Sequence, residues 1–597
     1  MPDHIKAATA LSIEDGKSTA PQDLFWLEQN IPCQVACPSG TDIPAYLEAV
    51  YHGRFAEAYQ INLRDNVFPA VLGRVCSRPC EDACRHGREG NGEAVAICFS
   101  KRSAADFTDA SPVILTKLFA SSGKHVAIIG AGVAGLAAAR DLALFGHRVS
   151  VYDRHARPGG MLCQGIPAFR LPRNVIAREL EQITALGVEI HCDVAVGHDV
   201  SSDELLARHD ALVLAAGTLR PNVLGLSGED LPGVEHGLRF LLEVNEKGRR
   251  GVGQRVVVIG GGYTAMDCAR TAIRLGAQTT VYYRRGRDDM VVLPGEVEEL
   301  LAEGAGLSNQ VAPLGFEGVD HVSGVRLGRT ERGKTGRDGR RLPREVPGSE
   351  FLANADSVIL ATGQFPDMSW LDENLRSALL GEDGWLNSGT SWRTANPKVF
   401  AAGDFALGAT TLIEAIGHAR KTALAVDEYL MRHARIGTVA KAERAFQSKT
   451  ARGRTTGRTV QMNAIPIHPM PVLPVDKRVD EAEVETGYDS ATATEAASRC
   501  YLCHYKFEII DSKCVLCDEC LKVKPVPGCI VEIADLDRDQ VGRITGYRPV
   551  QRGLTDSLYY NRLWIDQDQC VRCGQCEAVC PVNAITIQKV SLASKPV

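Results

Sequence analysis

The chain has 597 residues, 45% hydrophobic and 23% charged, which suits several buried cores and excludes a largely disordered protein. Lys and Arg number 67 against 73 Asp and Glu, a net charge of −6 that carries no signature of nucleic-acid binding. No apolar run reaches the roughly 18–20 residues of a membrane helix. The first residues mix acids and bases without the apolar stretch of a signal peptide, so a cytoplasmic protein is expected. In such a compartment the 19 cysteines are expected as metal or cluster ligands, redox groups or small core residues.

Residues 1–120 read as helical, with QDLFWLEQN and IPAYLEAVYHGRFAEAYQINL carrying apolar positions at helical spacing. Five cysteines fall here as ligand candidates: Cys33, Cys37, Cys76, Cys80 and Cys84. From 121 to 435 short strands (HVAIIG, RVSVYD, ALVLAAG, RVVVIG, SVILATG) alternate with helices, which predicts parallel α/β sheets. The first strand runs into Gly130-x-Gly132-x-x-Gly135 and a helix, and Asp153 ends the next strand. These glycines allow a tight turn, close approach of a pyrophosphate, and close helix packing, while the acid suits a ribose. A second turn, Gly260-x-Gly262-x-x-Ala265, is followed by Arg284 and Arg285 in place of an acid, which suits a 2′-phosphate and so NADP over NAD. The basic loop 331–345 reads as a solvated hairpin. Residues 436–490, basic and then proline-rich, read as a linker.

Residues 491–597 hold Cys514-x2-Cys517-x2-Cys520 and Cys570-x2-Cys573-x2-Cys576-x3-Cys580-Pro581. Such runs present three thiolates to one [4Fe–4S] cube and the fourth to its neighbour. The crossing rule groups Cys514, Cys517, Cys520 and Cys580, and then Cys570, Cys573, Cys576 and Cys529. The last group carries a lengthened loop, LKVKPVPG. Zinc competes as a reading of paired CxxC motifs. Cys500-x2-Cys503 stays open between a zinc knuckle with Cys514 and Cys517, a ligand pair of a further cluster, and a structural role.

The two glycine turns, the strand ends at Gly217 and Gly363, and VFAAGD ending at Gly403-Asp404 resemble the two-dinucleotide flavoprotein superfamily. That resemblance implies FAD at Gly130, Gly132, Gly135, Asp153, Gly160, Gly217, Gly363, Gly403 and Asp404, and NAD or NADP at Gly260, Gly262, Ala265, Arg284 and Arg285. It also implies a discontinuous FAD domain (121–250 and 350–435) around an NAD(P) domain (251–349). The disulfide reductases of the superfamily carry a cysteine pair beside the flavin; none occurs between 121 and 436, and Cys163 in GGMLCQG reads as a packing residue.

Residues 30–430, through GRVCSRPCEDACRHG, GGMLCQGIPAFRLPR and YYRRGRDDM, resemble the glutamate synthase small subunit and dihydropyrimidine dehydrogenase. The implied fold is a helical iron–sulfur domain, a two-dinucleotide-binding α/β flavoprotein core, and a ferredoxin-like α+β tail. Two departures stand out. The upstream CxxC of the family is replaced by Phe25-Trp26-Leu27-Glu28, so one N-terminal cluster is expected, on Cys37, Cys76, Cys80 and one of Cys33 or Cys84. Lys101, where dihydropyrimidine dehydrogenase has a glutamine ligand, supports that all-cysteine set; and Val291 replaces a second phosphate-binding arginine, which keeps NAD open. Cys98 reads as a core residue.

The expected function is an electron-transfer subunit with FAD, NAD(P) and about three [4Fe–4S] clusters, exchanging electrons with other subunits and with neither nucleic acid nor membrane. The tail RCYLCHYKFEIIDSKCVLCDEC is similar to the flavin subunit of phenylglyoxylate dehydrogenase-type 2-oxoacid oxidoreductases. The alternatives are a glutamate synthase-type NADPH-oxidising subunit and a stand-alone NAD(P)H:ferredoxin oxidoreductase.

Overall fold

The computed structural model describes residues 21–88, 92–108, 115–248, 251–336, 341–381, 385–386, 392–444, 456–550 and 562–596. The first twenty residues and 448–455 of the basic stretch lie outside them.

Short helices build the N-terminal region: Pro21–Asn30, Pro32–Ala36, Ile43–Tyr51, Phe55–Asn66, Pro69–Val75, Pro79–Asp82 and Ile97–Asp106. Prolines open several of them, where their missing N–H costs nothing. Cys76 and Cys37 follow directly on the ends of two of these helices, where the backbone turns extended.

Two parallel five-stranded sheets form the centre. The first orders its strands Val399–Ala401, Ala211–Leu214, His125–Ile129, Arg148–Tyr152, Glu189–His191. The second orders them Val234–His236, Ser357–Leu360, Arg255–Ile259, Gln278–Tyr283, Gly306–Asn309. The apolar centres of both sheets are buried: elements rich in helix cover both faces of the first, while the second is covered by helices on one face and by the antiparallel strands Val311–Gly318 and Val322–Thr335 on the other. The second sheet extends past the expected boundaries 251 and 349. Val234–His236 and Ser357–Leu360, expected in the FAD domain, pair side by side in the second sheet. The reason is that SVIL is a short apolar run, and such a run cannot say which parallel sheet it joins. The connection between the domains is a two-stranded antiparallel ladder, Arg220–Pro221 with Gln364–Phe365.

The expected linker also changes character. Residues Ile436–Arg444 form a strand along Ile585–Pro596, which also pairs with Tyr505–Ile509, so the C-terminal sheet begins at 436. A second small sheet holds Ile530–Arg538, Ile544–Pro549 and Arg562–Ile565. Residues 471–486 act as a strap across three domains. Val484 N–H donates to Phe169 O (2.9 Å), Arg478 pairs with Glu299 (2.5 Å), and Glu483 meets Arg74 (2.7 Å) and Arg102 (2.8 Å). Of the loop 331–345, the described residues pair antiparallel, the end of Val322–Thr335 with Arg341–Glu345, and are largely exposed.

Candidate functional site

A large cavity lies where the helical region and both sheets meet, with about 2270 Å³ of free space counting the solvent at its open mouth. Gly130 and Gly132 floor it, at the N-terminus of the helix Val133–Leu144, which has no side-chain cap, so its first N–H groups remain for an anion. Gly130 takes φ +106°, and a Cβ there would sit 2.3 Å from Ala215 O. Gly135 does not line the cavity; a Cβ there would stand 1.9 Å from Gly130 O, so its smallness lets helix and strand close up. Asp153 lines the cavity and accepts from Ala131 N (2.7 Å) and His155 N (2.9 Å), which pins the turn beside it.

Gly160, Gly217 and Asp404 also line this cavity. Asp404 accepts from the Thr410 hydroxyl (2.6 Å) and N–H (3.2 Å), and burial pushes its carboxyl up. Gly403 and Gly363 stand one residue outside the lining, next to Asp404 and Gln364. The cavity also recruits residues that the motifs do not mark. Gln164 is one: its Nε2 is buried without a hydrogen-bond partner while the residue lines the cavity. Such an orphaned donor fits a polar ring edge of a flavin. Cys163 lies outside the lining and its thiol donates to Pro158 O (3.4 Å).

The second glycine turn faces the same space from the other sheet. Tyr263, Thr264 and Asp267, just after Gly262, line the cavity, whereas Gly260, Gly262 and Ala265 do not. Arg170, also in the lining, bridges the two domains: it donates to Asp267 (2.7 Å) and to Glu296. The two arginines expected at the 2′-phosphate separate. Arg285 is buried at 9% exposure and its Nε donates to Arg341 O (3.0 Å), which makes it part of the hairpin root. Arg284 is exposed. Val291 is 54% exposed, and its methyl stands 3.8 Å from where a Cβ of Gly262 would be.

The cysteines gather in sets, and all are free thiols. Cys514, Cys517, Cys520 and Cys580 surround one small cavity. Cys529, Cys570, Cys573 and Cys576 surround another. Burial and neighbouring thiols push Cys520 and Cys529 up to about 11, so a metal charge is what makes them ligands.

The N-terminal cysteines do not form the single set expected. Cys37, Cys76 and Cys80 stand together with Cys98, and all four act on the buried Lys101; burial disfavours its ammonium, yet these thiols raise its pKa. Cys33 and Cys84, each expected as a possible fourth member, turn away and line a separate cavity with Cys500 and Cys503. Among the described residues no three His, Cys, Asp or Glu side chains are placed to hold a single metal ion. Three of the four sets sit around cavities instead, and that arrangement fits a multi-iron cube better than a lone tetrahedral ion.

Sequence comparison agrees with this layout. Residues 124–423 match the pyridine nucleotide-disulphide oxidoreductase family, 28–112 match dihydropyrimidine dehydrogenase domain II, 4Fe-4S cluster, and 563–586 match a 4Fe-4S binding domain. The chain is 36% identical to the NADP(+)-dependent formate dehydrogenase subunit beta of Moorella thermoacetica, over 79% of this chain and 70% of that one. It is 38% identical to the glutamate synthase [NADPH] small chain of Escherichia coli, over 70% and 92%. It is also 38% identical to the NADPH-Fe(3+) oxidoreductase subunit beta of Geobacter sulfurreducens, over 67% of this chain and 63% of that protein's length. The chain therefore belongs to the pyridine nucleotide-disulphide oxidoreductase family, as an FAD- and NAD(P)-dependent iron–sulfur oxidoreductase.

Proposed function

We propose that this chain is the NADP-linked electron-transfer subunit of a larger oxidoreductase. The observation that carries this reading is the shared wall at Cys76. Val75 and Ser77 line the dinucleotide cavity, while Cys76 between them belongs to the thiol set with Cys37, Cys80 and Cys98. An electron leaving the cavity therefore meets an iron–sulfur ligand directly. When bound, FAD supplies the conversion between a hydride pair and single electrons.

The chain's own residues orient the two dinucleotides. The first glycine turn and its uncapped helix hold the pyrophosphate, Asp153 the ribose, and Asp404 the chain linking ribose to flavin. Arg170, through Asp267 and Glu296, keeps the second domain registered over the first. Arg284 is the residue for the 2′-phosphate. At the far end Cys517 is exposed, so the tail set Cys514, Cys517, Cys520 and Cys580 is where a partner exchanges electrons.

The partner reading that the ferredoxin-like tail favours is a 2-oxoacid:acceptor oxidoreductase complex that reduces NAD(P)+. The likeness to the Escherichia coli protein supports a second reading, an NADPH-oxidising subunit of the glutamate synthase type. Anaerobic addition of NADPH is expected to bleach the flavin absorbance and then reduce a low-potential acceptor; no bleaching with NADPH or NADH overturns the proposal. Subunits that co-purify with the chain decide between the two partners.

A further inference from the structure

We propose that Cys500 and Cys503 complete a [4Fe–4S] site with Cys33 and Cys84, which makes four clusters in the chain rather than three. The inference rests on the electron-transfer reading above and extends it. All four cysteines line one cavity, and each is at least nine-tenths buried. Counting the solvent at its mouth, the cavity has about 340 Å³ of free space, against 320 and 300 Å³ on the same measure for the two ferredoxin-type cavities, so it matches them in size. His86 lines it as well. Its Nδ1 bonds Glu93 O (2.6 Å), and its Nε2 is buried with no hydrogen-bond partner, as expected of a polar atom that faces an absent group. The remaining N-terminal thiols, Cys37, Cys76 and Cys80, are then completed by Cys98.

The fold shows why so distant a pair arrives here. The helix Ser490–Ser498 packs on Ile43–Tyr51 and delivers Cys500 at its end. Arg499 donates to Ala94 O (2.9 Å) and Glu93 O (2.8 Å), while Arg458 donates to Ser498 O and Cys500 O (both 2.9 Å). Glu48 receives Tyr505 (2.6 Å) and Lys589 (2.7 Å), which fixes the segment on its other side. A zinc knuckle of Cys500 and Cys503 with Cys514 and Cys517 is not what the chain builds, because the latter two line the other cavity.

The site also closes a gap. Tyr46 lies within electrostatic reach of Cys80 and Cys98 in one set and of Cys33 in the other. Arg572 is likewise shared by Cys503 and Cys570, and Cys576 is coupled to Cys520. These shared neighbours place the four sets one after another between the dinucleotide cavity and the exposed Cys517, an order that would suit single-electron transfer.

The test is a count of iron, acid-labile sulfide and zinc on the full chain after anaerobic reconstitution. About sixteen irons with matching sulfide is expected from four cubes; about twelve, or stoichiometric zinc, overturns the proposal. The double variant Cys500→Ala/Cys503→Ala is expected to lose about four irons, to keep its FAD and to bleach with NADPH, and to pass electrons to the acceptor at least tenfold more slowly. Retention of all the iron in that variant overturns it too. The wild-type count stands even where the variant does not fold. Loss of four irons in a chain whose flavin never bleaches keeps this site and refutes the electron-transfer reading instead.

Discussion

Glu179 ties the flavin domain to the helix that ends at Cys76, and it makes that tie sensitive to pH. It is fully buried on the helix Arg173–Thr184, and its carboxylate accepts from Ala70 N (2.7 Å), Val71 N (3.1 Å) and the Tyr59 hydroxyl (3.3 Å). The first two are N–H groups of the opening turn of Pro69–Val75. Burial pushes the carboxyl up to about 7 from its ordinary 4.5, against these hydrogen bonds. The folded state therefore holds its proton more tightly than the unfolded chain. The stability this contributes is complete below pH 4.5 and is lost as pH rises through 7. Between pH 6 and 8 the loss integrates to about 1.4 kcal/mol, a tenfold change in the opening equilibrium. Glu179→Gln keeps the shape but cannot titrate, and loses about 1–3 kcal/mol from an unmatched donor. Hydrogen exchange of the Val71 and Ala70 amides, corrected for intrinsic rate, is expected to show about tenfold more opening at pH 8 than at pH 6 in the parent and a flat profile in the variant. A parent that opens less at pH 8, or a variant with the parent's slope, refutes the reasoning.

The Arg284→Ala variant is expected to raise KM for NADPH about tenfold, the low end for one exposed charge-assisted contact, with kcat and the NADH reaction unchanged; equal losses for both nucleotides refute the assignment. Gly130→Ala places a Cβ 2.3 Å from Ala215 O, so the chain should purify with little FAD, read from its absorbance against protein. Glu303 is held by Arg270 (2.6 Å), Arg274 (2.6 Å) and Arg478 (3.3 Å). Burial opposes its charge, but Arg274 and Arg270 bring its carboxyl down to about 2. Its contribution is thus present above pH 4.5 and lost as pH falls towards 2. At neutral pH Glu303→Ala should destabilise the second domain by about 3–5 kcal/mol as a broken buried network, measured as a lower Tm.

Chemistry that depends on neighbours in sequence was readable without coordinates. The glycine turn at Gly130 needs only a strand, a short loop and a helix. The tail cavities hold the residues that the crossing rule groups, although LKVKPVPG lengthens one loop. What depends on long-range packing was not readable. Cys500 and Cys503 reach Cys33 and Cys84 only because Ser490–Ser498 docks on an N-terminal helix, and no spacing in the chain encodes that. Cys98 reads as a core residue in the sequence, and it is fully buried, but burial is equally the state of a ligand. Arg284 and Arg285 are chemically equal in sequence; the bend that follows the strand Gln278–Tyr283 leaves one exposed and buries the other at the hairpin root.

The paired strands Arg220–Pro221 and Gln364–Phe365 give the inserted domain a hinge, because both chain crossings lie side by side. Two adjacent, hydrogen-bonded crossings leave rotation about one axis as the easy motion. The strap 471–486 and Arg170 are then latches set away from that axis, through Arg478 with Glu299 and Arg170 with Asp267. Swinging the nicotinamide domain open requires both latches to release ion pairs that are largely shielded from water. The same strap grips Arg74 and Arg102 beside the first thiol set, so domain motion and the start of the electron path are mechanically joined.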